Sequence, residues 1–440
     1  MTSHALRCAL LASVLTFATD AARAQEADSI PLADAQQAFA TAEQLCSADG
    51  GKLWGVSLCG PIMLVDPGSR SIVASQADAD GVLESRSGVY VGVLPTEENI
   101  ANTATEWAGV HWTQLVWPLP EDAADRRTLL MHELFHRIQA SLALPAPDGG
   151  DNAHLDTTHG RYLLQLEWRA LAAALGATDP AARRQAIADA LLFRAERHRR
   201  FPGTAMQEQA LMLHEGLAEY TGVRLGNRDP DDQRAVALDH LRTLAANPSY
   251  VRSFVYASGP AYGLLLDQEA PSWRASLREG NSLASMLGDA LALPSPTNPQ
   301  QRTAERSPHY DGAALWRAET ERKTRRDAQL AAYRSKFIDA PVLRIALQHM
   351  KIQFNPSSLV PLEPVGTVYP TMRIVDDWGV LEVTDGALLA KDWDAVTVPV
   401  PADREGRAIE GDGWTLQLND GWQLVPGARK GDLVLESTGG

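Results

Sequence analysis

Positive charge is in short supply: 40 Lys and Arg stand against 55 Asp and Glu, a formal net charge of −15. That balance excludes a nucleic-acid binder, whose electrostatic footprint is basic, and disfavours anionic membrane surfaces. Only three cysteines occur in 440 residues and aromatics make up 6%, so the chain is no disulfide-stapled scaffold. Past the N-terminus no stretch approaches the about 18 uninterrupted apolar residues of a membrane-spanning helix. No fixed-period repeat and no low-complexity tract is visible either. What is present is ordinary globular composition, 45% hydrophobic with 33 Gly and 26 Pro, enough to build two or three domains with substantial cores.

The first 24 residues read as an export signal: Arg7, an apolar run from Cys8 to Ala18, then Ala22-Arg23-Ala24 as a small-x-small cleavage site. Export to a periplasmic or secreted location is therefore expected. Cleavage removes Cys8 and leaves Cys46 and Cys59 as the mature pair. In an oxidising compartment the pair is expected to form one bridge closing a short loop, worth about 3 kcal/mol. Two separate buried thiols are the alternative, since spacing does not fix geometry.

Residues 25–120 read as a β-rich segment after a short helix, with turn signals such as Asp66-Pro67-Gly68-Ser69. Within it Trp107 to Trp117 is aromatic and β-branched, one strand stopped by Pro118-Leu119-Pro120. Residues 121–295 read as a helical catalytic domain and 296–352 as a further helical segment, Ala314 to Lys336 being a long solvated helix. Residues 353–440 read as a small β module, with alternating strands separated by Asp385-Gly386, Asp412-Gly413 and Asp420-Gly421.

One segment carries chemistry: Leu129-Leu130-Met131-His132-Glu133-Leu134-Phe135-His136-Arg137-Ile138-Gln139. Asp122 and Asp125 suit the start of its helix, and apolar residues on nearly every side imply burial. At i and i+4, His132 and His136 share a face and can place two imidazole nitrogens on one ion. Glu133 stands where a carboxylate can hydrogen-bond a water beside the metal without ligating it. Two imidazoles plus a carboxylate suit zinc, one per chain. Two structural histidines on a core helix are the bland alternative.

The third ligand is expected to be Glu215 in Leu213-His214-Glu215-Gly216-Leu217-Ala218-Glu219-Tyr220, on a helix running from a capping box at Thr204 and Gln207 to about Gly226. Glu219, one turn on, is placed to accept the second ring N–H of a ligating histidine. Here the chain resembles the gluzincin (thermolysin-like) metallopeptidases, and within them the aminopeptidase pattern H-E-x-x-H followed by N-E-G-x-A-x-Y. The resemblance implies an α+β gluzincin zinc-peptidase core, mostly helical, flanked by the N-terminal β-rich segment and the C-terminal β module. It also implies Glu215 as ligand. Tyr256-Ala257-Ser258-Gly259-Pro260-Ala261-Tyr262-Gly263-Leu264-Leu265 is similar to the family's Y-x-K-G-x-x-x-L segment, which implies Tyr256 as the donor to the oxyanion. Ser258 replaces the family's lysine, and Tyr262 is the fallback donor. Glu106, in Thr105-Glu106-Trp107-Ala108-Gly109, is similar in place to the glutamate that grips the substrate α-amine in the aminopeptidases.

The chain departs from the family in the 78 residues between His136 and Glu215, so an inserted helical pair is expected. Glu167 is the rival third ligand, though its apolar surroundings fit a buried ion pair better. His154, Asp156 and His159 are a candidate second metal site in a loop, against ordinary surface histidines. The expected function is an exported zinc metallohydrolase acting on a peptide or protein substrate, with Glu133 as general base. A zinc-stabilised binding module without activity, or a zinc hydrolase of non-peptide amides or esters, are the other readings.

Overall fold

The computed structural model describes residues 30–142, 144, 150–227, 229–277, 281–354, 359–403 and 406–438. The expected export signal lies outside the described residues. Among the described residues no helix is long and apolar enough to cross a membrane. The chain divides into two compact units, residues 1–316 and 317–440.

The first unit opens with α1 (Leu32–Asp49), whose last turn carries Cys46, bridged to Cys59 across a Cα separation of 5.2 Å. A six-stranded sheet follows, from β1 (Ile62–Val65), β2 (Ser71–Ala74), β3 (Glu84–Arg86), β4 (Val89–Val93), β5 (Thr103–Trp107) and β6 (Val110–Val116), in the order β3-β4-β2-β1-β6-β5. The Ile-Met-Leu-Val run of β1 is buried throughout, as a central strand covered on both faces must be. It pairs in parallel with β6, Ile62 opposite Thr113 through Val65 opposite Val116. The single strand expected from Trp107 to Trp117 is instead the turn and second arm of a hairpin. Ala108 and Gly109 both take positive φ, 47° and 72°, which is the backbone of a tight two-residue turn. That turn makes β5 an edge strand.

Helices build the rest of this unit. The first, α2 (Ala123–Gln139), starts where the Asp122 carboxylate accepts from the amides of Ala124 and Asp125 at 2.7 and 3.0 Å. The inserted stretch is the expected helical pair, α3 (Thr158–Gly176) and α4 (Pro180–Arg200), the latter entered through an Asp179 cap and Pro180. Then come α5 (Thr204–Leu211), a wide turn at Met212–Gly216 with π-type bonding, and α6 (Leu217–Gly226) on one helical path. The capping box does not form: Gly203 takes the cap position with φ 84°, and the Thr204 hydroxyl donates to Phe201 O at 2.7 Å. The remaining helices are α7 (Pro230–Thr243), α8 (Phe254–Glu269), α9 (Leu283–Ala290) and α10 (Pro299–Arg306). Two glycines set the approach of the site-bearing elements. A Cβ at Gly222 would lie 2.6 Å from Thr128 O of α2, and one at Gly259 of α8 would lie 2.3 Å from Gly216 O.

The helix α11 (Gly312–Arg334), solvated along most of its length as expected, starts in the first unit and continues into the second, whose strands begin with β7 (Val342–Ala346) and end with β18 (Leu433–Ser437). They form a seven-stranded and a five-stranded sheet sharing one core, with Leu343, Ile345, Val396 and Val398 from one and Ile374, Leu381, Trp414 and Leu416 from the other. The strands thus begin before the expected boundary at 353, and the helical segment expected to 352 stops at Asp339. Val342 to Ala346 alternates between buried and exposed from Leu343 on, a period of two that is too short to stand out beside a long helix. Gly386, Gly413 and Gly421 take φ of 91°, 77° and 84°, the backbone that the Asp-Gly pairs imply.

Candidate metal centre

His132, Glu133 and His136 project from the buried middle of α2, and Glu215 enters from the wide turn before α6. The donor atoms converge: His132 Nε2 to His136 Nε2 is 3.1 Å, and each Nε2 is 3.5 Å from Glu215 Oε2. The widening at Met212–Gly216 is what shifts Glu215 off the regular helical course; π-type turns of this kind recur at functional sites.

The tautomers follow from the neighbours. His132 Nδ1 lies 2.7 Å from Glu219 Oε2, a pure acceptor when ionised, so this nitrogen donates. His136 Nδ1 lies 3.0 Å from Gln139 Oε1, while Gln139 Nε2 donates to Leu213 O and His214 O at 3.0 and 3.1 Å. Gln139 therefore presents its oxygen to the ring, and His136 Nδ1 donates as well. Both Nε2 lone pairs then aim at one point, an arrangement that repels unless a cation or a proton lies there. Glu133, Glu215 and Glu219 add three carboxylates, and Glu133 Oε2 is buried with no hydrogen-bond partner. A buried charge without a partner is costly. The donor set, the surplus negative charge and the orphaned oxygen all fit a divalent cation of zinc type with a water beside it.

The electrostatics agree. Burial disfavours a proton on His132, but its hydrogen bonds to the Glu215 and Glu219 carboxylates outweigh it and push its pKa up to about 10 in the metal-free chain. Burial raises the Glu133 carboxyl, against the pull of His132 and His136. Glu215 is driven the other way: burial opposes its charge, yet hydrogen bonds from His132, His136 and His214 hold it far below the usual carboxylate range.

Tyr256 of α8 brings its hydroxyl to 3.1 Å from Glu215 Oε2 and stacks its ring on His132 at 5.9 Å. Burial and the Glu215 charge raise its pKa, so it stays a donor. Tyr262 is elsewhere. It is buried and donates to Glu167 Oε1 at 2.7 Å. Glu167 forms the expected buried ion pair, with Arg197 Nη1 2.6 Å away, and is no part of this centre. Ser258, at the family's lysine position, accepts from Trp168 Nε1 at 2.8 Å.

His154, Asp156 and His159 do not gather around an ion. His154 Nε2 bonds Glu208 at 2.9 Å, Asp156 accepts from Tyr250 N at 2.7 Å, and His159, on α3 rather than in a loop, meets Trp316 edge to face. Glu106 sits exposed on β5 with His111 Nδ1 at 2.6 Å, and is not among the cleft-lining residues.

The centre lies in a cleft of about 540 Å³ whose walls include Asn102, Thr103 and Ala104 at the start of β5, Leu129, His214 and Arg252. Sequence reading missed Gln139, although its place one turn after His136 marks it as a partner for that ring. It also missed His240, whose Nδ1 lies 3.6 Å from Glu219 Oε1; no local pattern points to that residue. The chain matches no described protein family, no curated protein and no solved structure.

Proposed function

We propose that the chain is an exported zinc-dependent metallohydrolase of gluzincin type that cleaves peptide amide bonds. The observation that carries this reading is the convergence of two histidine lone pairs and the Glu215 carboxylate beside the partnerless Oε2 of Glu133. Zinc, when bound by His132, His136 and Glu215, supplies Lewis acidity to a substrate carbonyl and to the attacking water. Glu133 takes that water's proton on Oε2 and returns it to the leaving amine. Its raised pKa brings the two protonation states closer in energy than an exposed glutamate would allow. Tyr256 O–H turns from Glu215 to the oxygen on which charge develops. Glu219 and Gln139 hold the two imidazoles in the tautomer that keeps Nε2 free.

β5 is an edge strand whose first residues, Thr103 and Ala104, line the cleft, which supports an extended peptide adding as a further strand. A zinc-stabilised binding module would have no use for Glu133, whose buried, partnerless oxygen costs stability. Non-peptide amides and esters share the carbonyl chemistry, and the extended edge favours peptides. The test is zinc content together with turnover of a diverse peptide library, wild type against Glu133→Gln. One zinc per chain with turnover lost in the variant is expected. Turnover by the variant at the wild-type rate would sink the mechanism.

A further inference from the structure

The charges lining the cleft are lopsided. Glu133, Glu215 and Glu219 all face inward onto the histidines, and the one permanently cationic side chain among the described lining residues is Arg252. Its side chain is 74% exposed, and its nearest carboxylate oxygen, Glu215 Oε1, is 3.7 Å away, beyond hydrogen-bond reach. Apart from this long ion pair, the guanidinium makes no hydrogen bond among the described residues, and its N–H groups are open to a further acceptor.

The base of this arginine is as fixed as its tip is free. Arg252 lies in the turn before α8 between Tyr250 and Phe254, both fully buried. Tyr250 N donates to Asp156 at 2.7 Å, its hydroxyl to Ala245 O at 2.6 Å, and Arg161 stacks on its ring at 3.6 Å. Ser253 Oγ donates to Ser249 O at 2.7 Å. A rigid turn that holds out a free guanidinium is a built receptor for a planar anion.

We propose that the cleft selects substrates bearing a carboxylate close to the scissile bond, and that Arg252 receives it. The proposal rests on the hydrolase reading above and gives it a substrate class. Glu106, the residue expected to grip a substrate ammonium, is paired with His111 and does not line the cleft. The net charge of −15 repels anions at long range, so recognition is by short-range contact rather than steering.

The test uses the zinc-loaded full chain and a library of N-acylated tetrapeptides, each made as the C-terminal acid and the C-terminal amide, with glutamate or glutamine at every position. Wild type should favour one carboxylate series in kcat/KM by roughly 10- to 100-fold, as for a charge-assisted hydrogen bond. Whether the terminal or the side-chain series shows it identifies the source of the carboxylate. Arg252→Gln should bring the ratio to about one, and Arg252→Lys should restore part of it, because an ammonium keeps the charge but not the fork. Equal loss on acids and amides, with zinc lost too, would make Arg252 a mere prop for Glu215 and overturn the proposal. Calorimetric binding of the same peptides to Glu133→Gln separates the two readings. Preferential binding of acids without wild-type turnover defeats only the hydrolase reading; turnover without preference defeats only this one.

Discussion

Two ionic clusters built from the same residue types lie on one helical path, and they have opposite character. Around Glu208 on α5, every carboxylate oxygen is met. Oε1 accepts from Arg197 Nε and His154 at 2.8 and 2.9 Å, and Oε2 from Arg197 Nη2 and Arg194 at 2.9 and 3.1 Å. Glu167 is bound by Arg197 and Tyr262, so two arginines balance two glutamates in a region closed to water. Around Glu215, in the wide turn further along, three carboxylates face two histidines whose Nε2 atoms lie 3.1 Å apart, and one carboxylate oxygen has no partner. A cluster whose carboxylate oxygens are all met by arginine, histidine and tyrosine holds a fold together. One that is left in deficit is complete only with something the chain does not supply, and it opens to a cleft.

The sharpest way to break this contrast is to remove a member of each cluster and measure zinc. His132→Ala or Glu215→Ala should take the metal content from about one per chain to none, since each deletes one of three ligands. Glu167→Ala should keep the zinc but cost about 3–5 kcal/mol of stability in a denaturant titration, because it strands buried arginine charge. A zinc-free Glu167→Ala that is still folded would transfer the ligand role. Next in size, Glu133→Gln should lose about 10²- to 10⁴-fold in kcat with zinc retained, the usual contribution of a general base.

The two tyrosines sharpen the contrast further. Tyr256→Phe should lower kcat roughly 10²-fold and leave KM and zinc nearly unchanged, as for one oxyanion donor. Tyr262→Phe should instead cost about 1–3 kcal/mol of stability, the penalty for a buried acceptor left short of a donor. A kinetic defect in Tyr262→Phe alone would reverse the assignment. The smallest effect is in acid. Burial opposes the charge of Glu208, but Arg197 and Arg194 hold its pKa well below the ordinary 4.5. A depressed carboxylate stabilises the fold above pH 4.5 and loses that contribution as pH falls toward its folded value. Wild type should therefore lose stability below about pH 4.5, and in Glu208→Gln that slope should flatten.

The two clusters were unequally legible. His132 and His136 lie one helical turn apart, with Glu133 beside the first, so the shared face of the two imidazoles follows from backbone periodicity alone. Asp122 as a cap and the Asp-Gly turns were readable for the same reason: each acts on amides or dihedrals within a few residues. The hairpin at Ala108-Gly109 was missed because alanine is an unusual occupant of positive φ. The helix does start at Thr204, but the capping box expected there does not form, because the Thr204 hydroxyl found a carbonyl three residues back instead of an amide ahead. Gln139 was within reach of the histidine motif, whereas Arg252 and His240 carry no local signal.

What the sequence by itself determined is the chemistry available on α2: two imidazoles on one face, and a carboxylate beside them that cannot follow them onto the same ion. Periodic backbone geometry settles that without any partner. Only the tertiary structure decided which carboxylate lies against the two imidazoles and which tyrosine stands beside it. Glu219 reaches His132 across 87 residues of chain, and Tyr262 reaches Glu167 across 95. Such distances are closed by packing, through the glycines that let α2, the wide turn and α8 come together. The role of each acidic residue is then set by the side chains it meets there: arginine at Glu167 and Glu208, and the Nε2 atoms of His132 and His136 at Glu215.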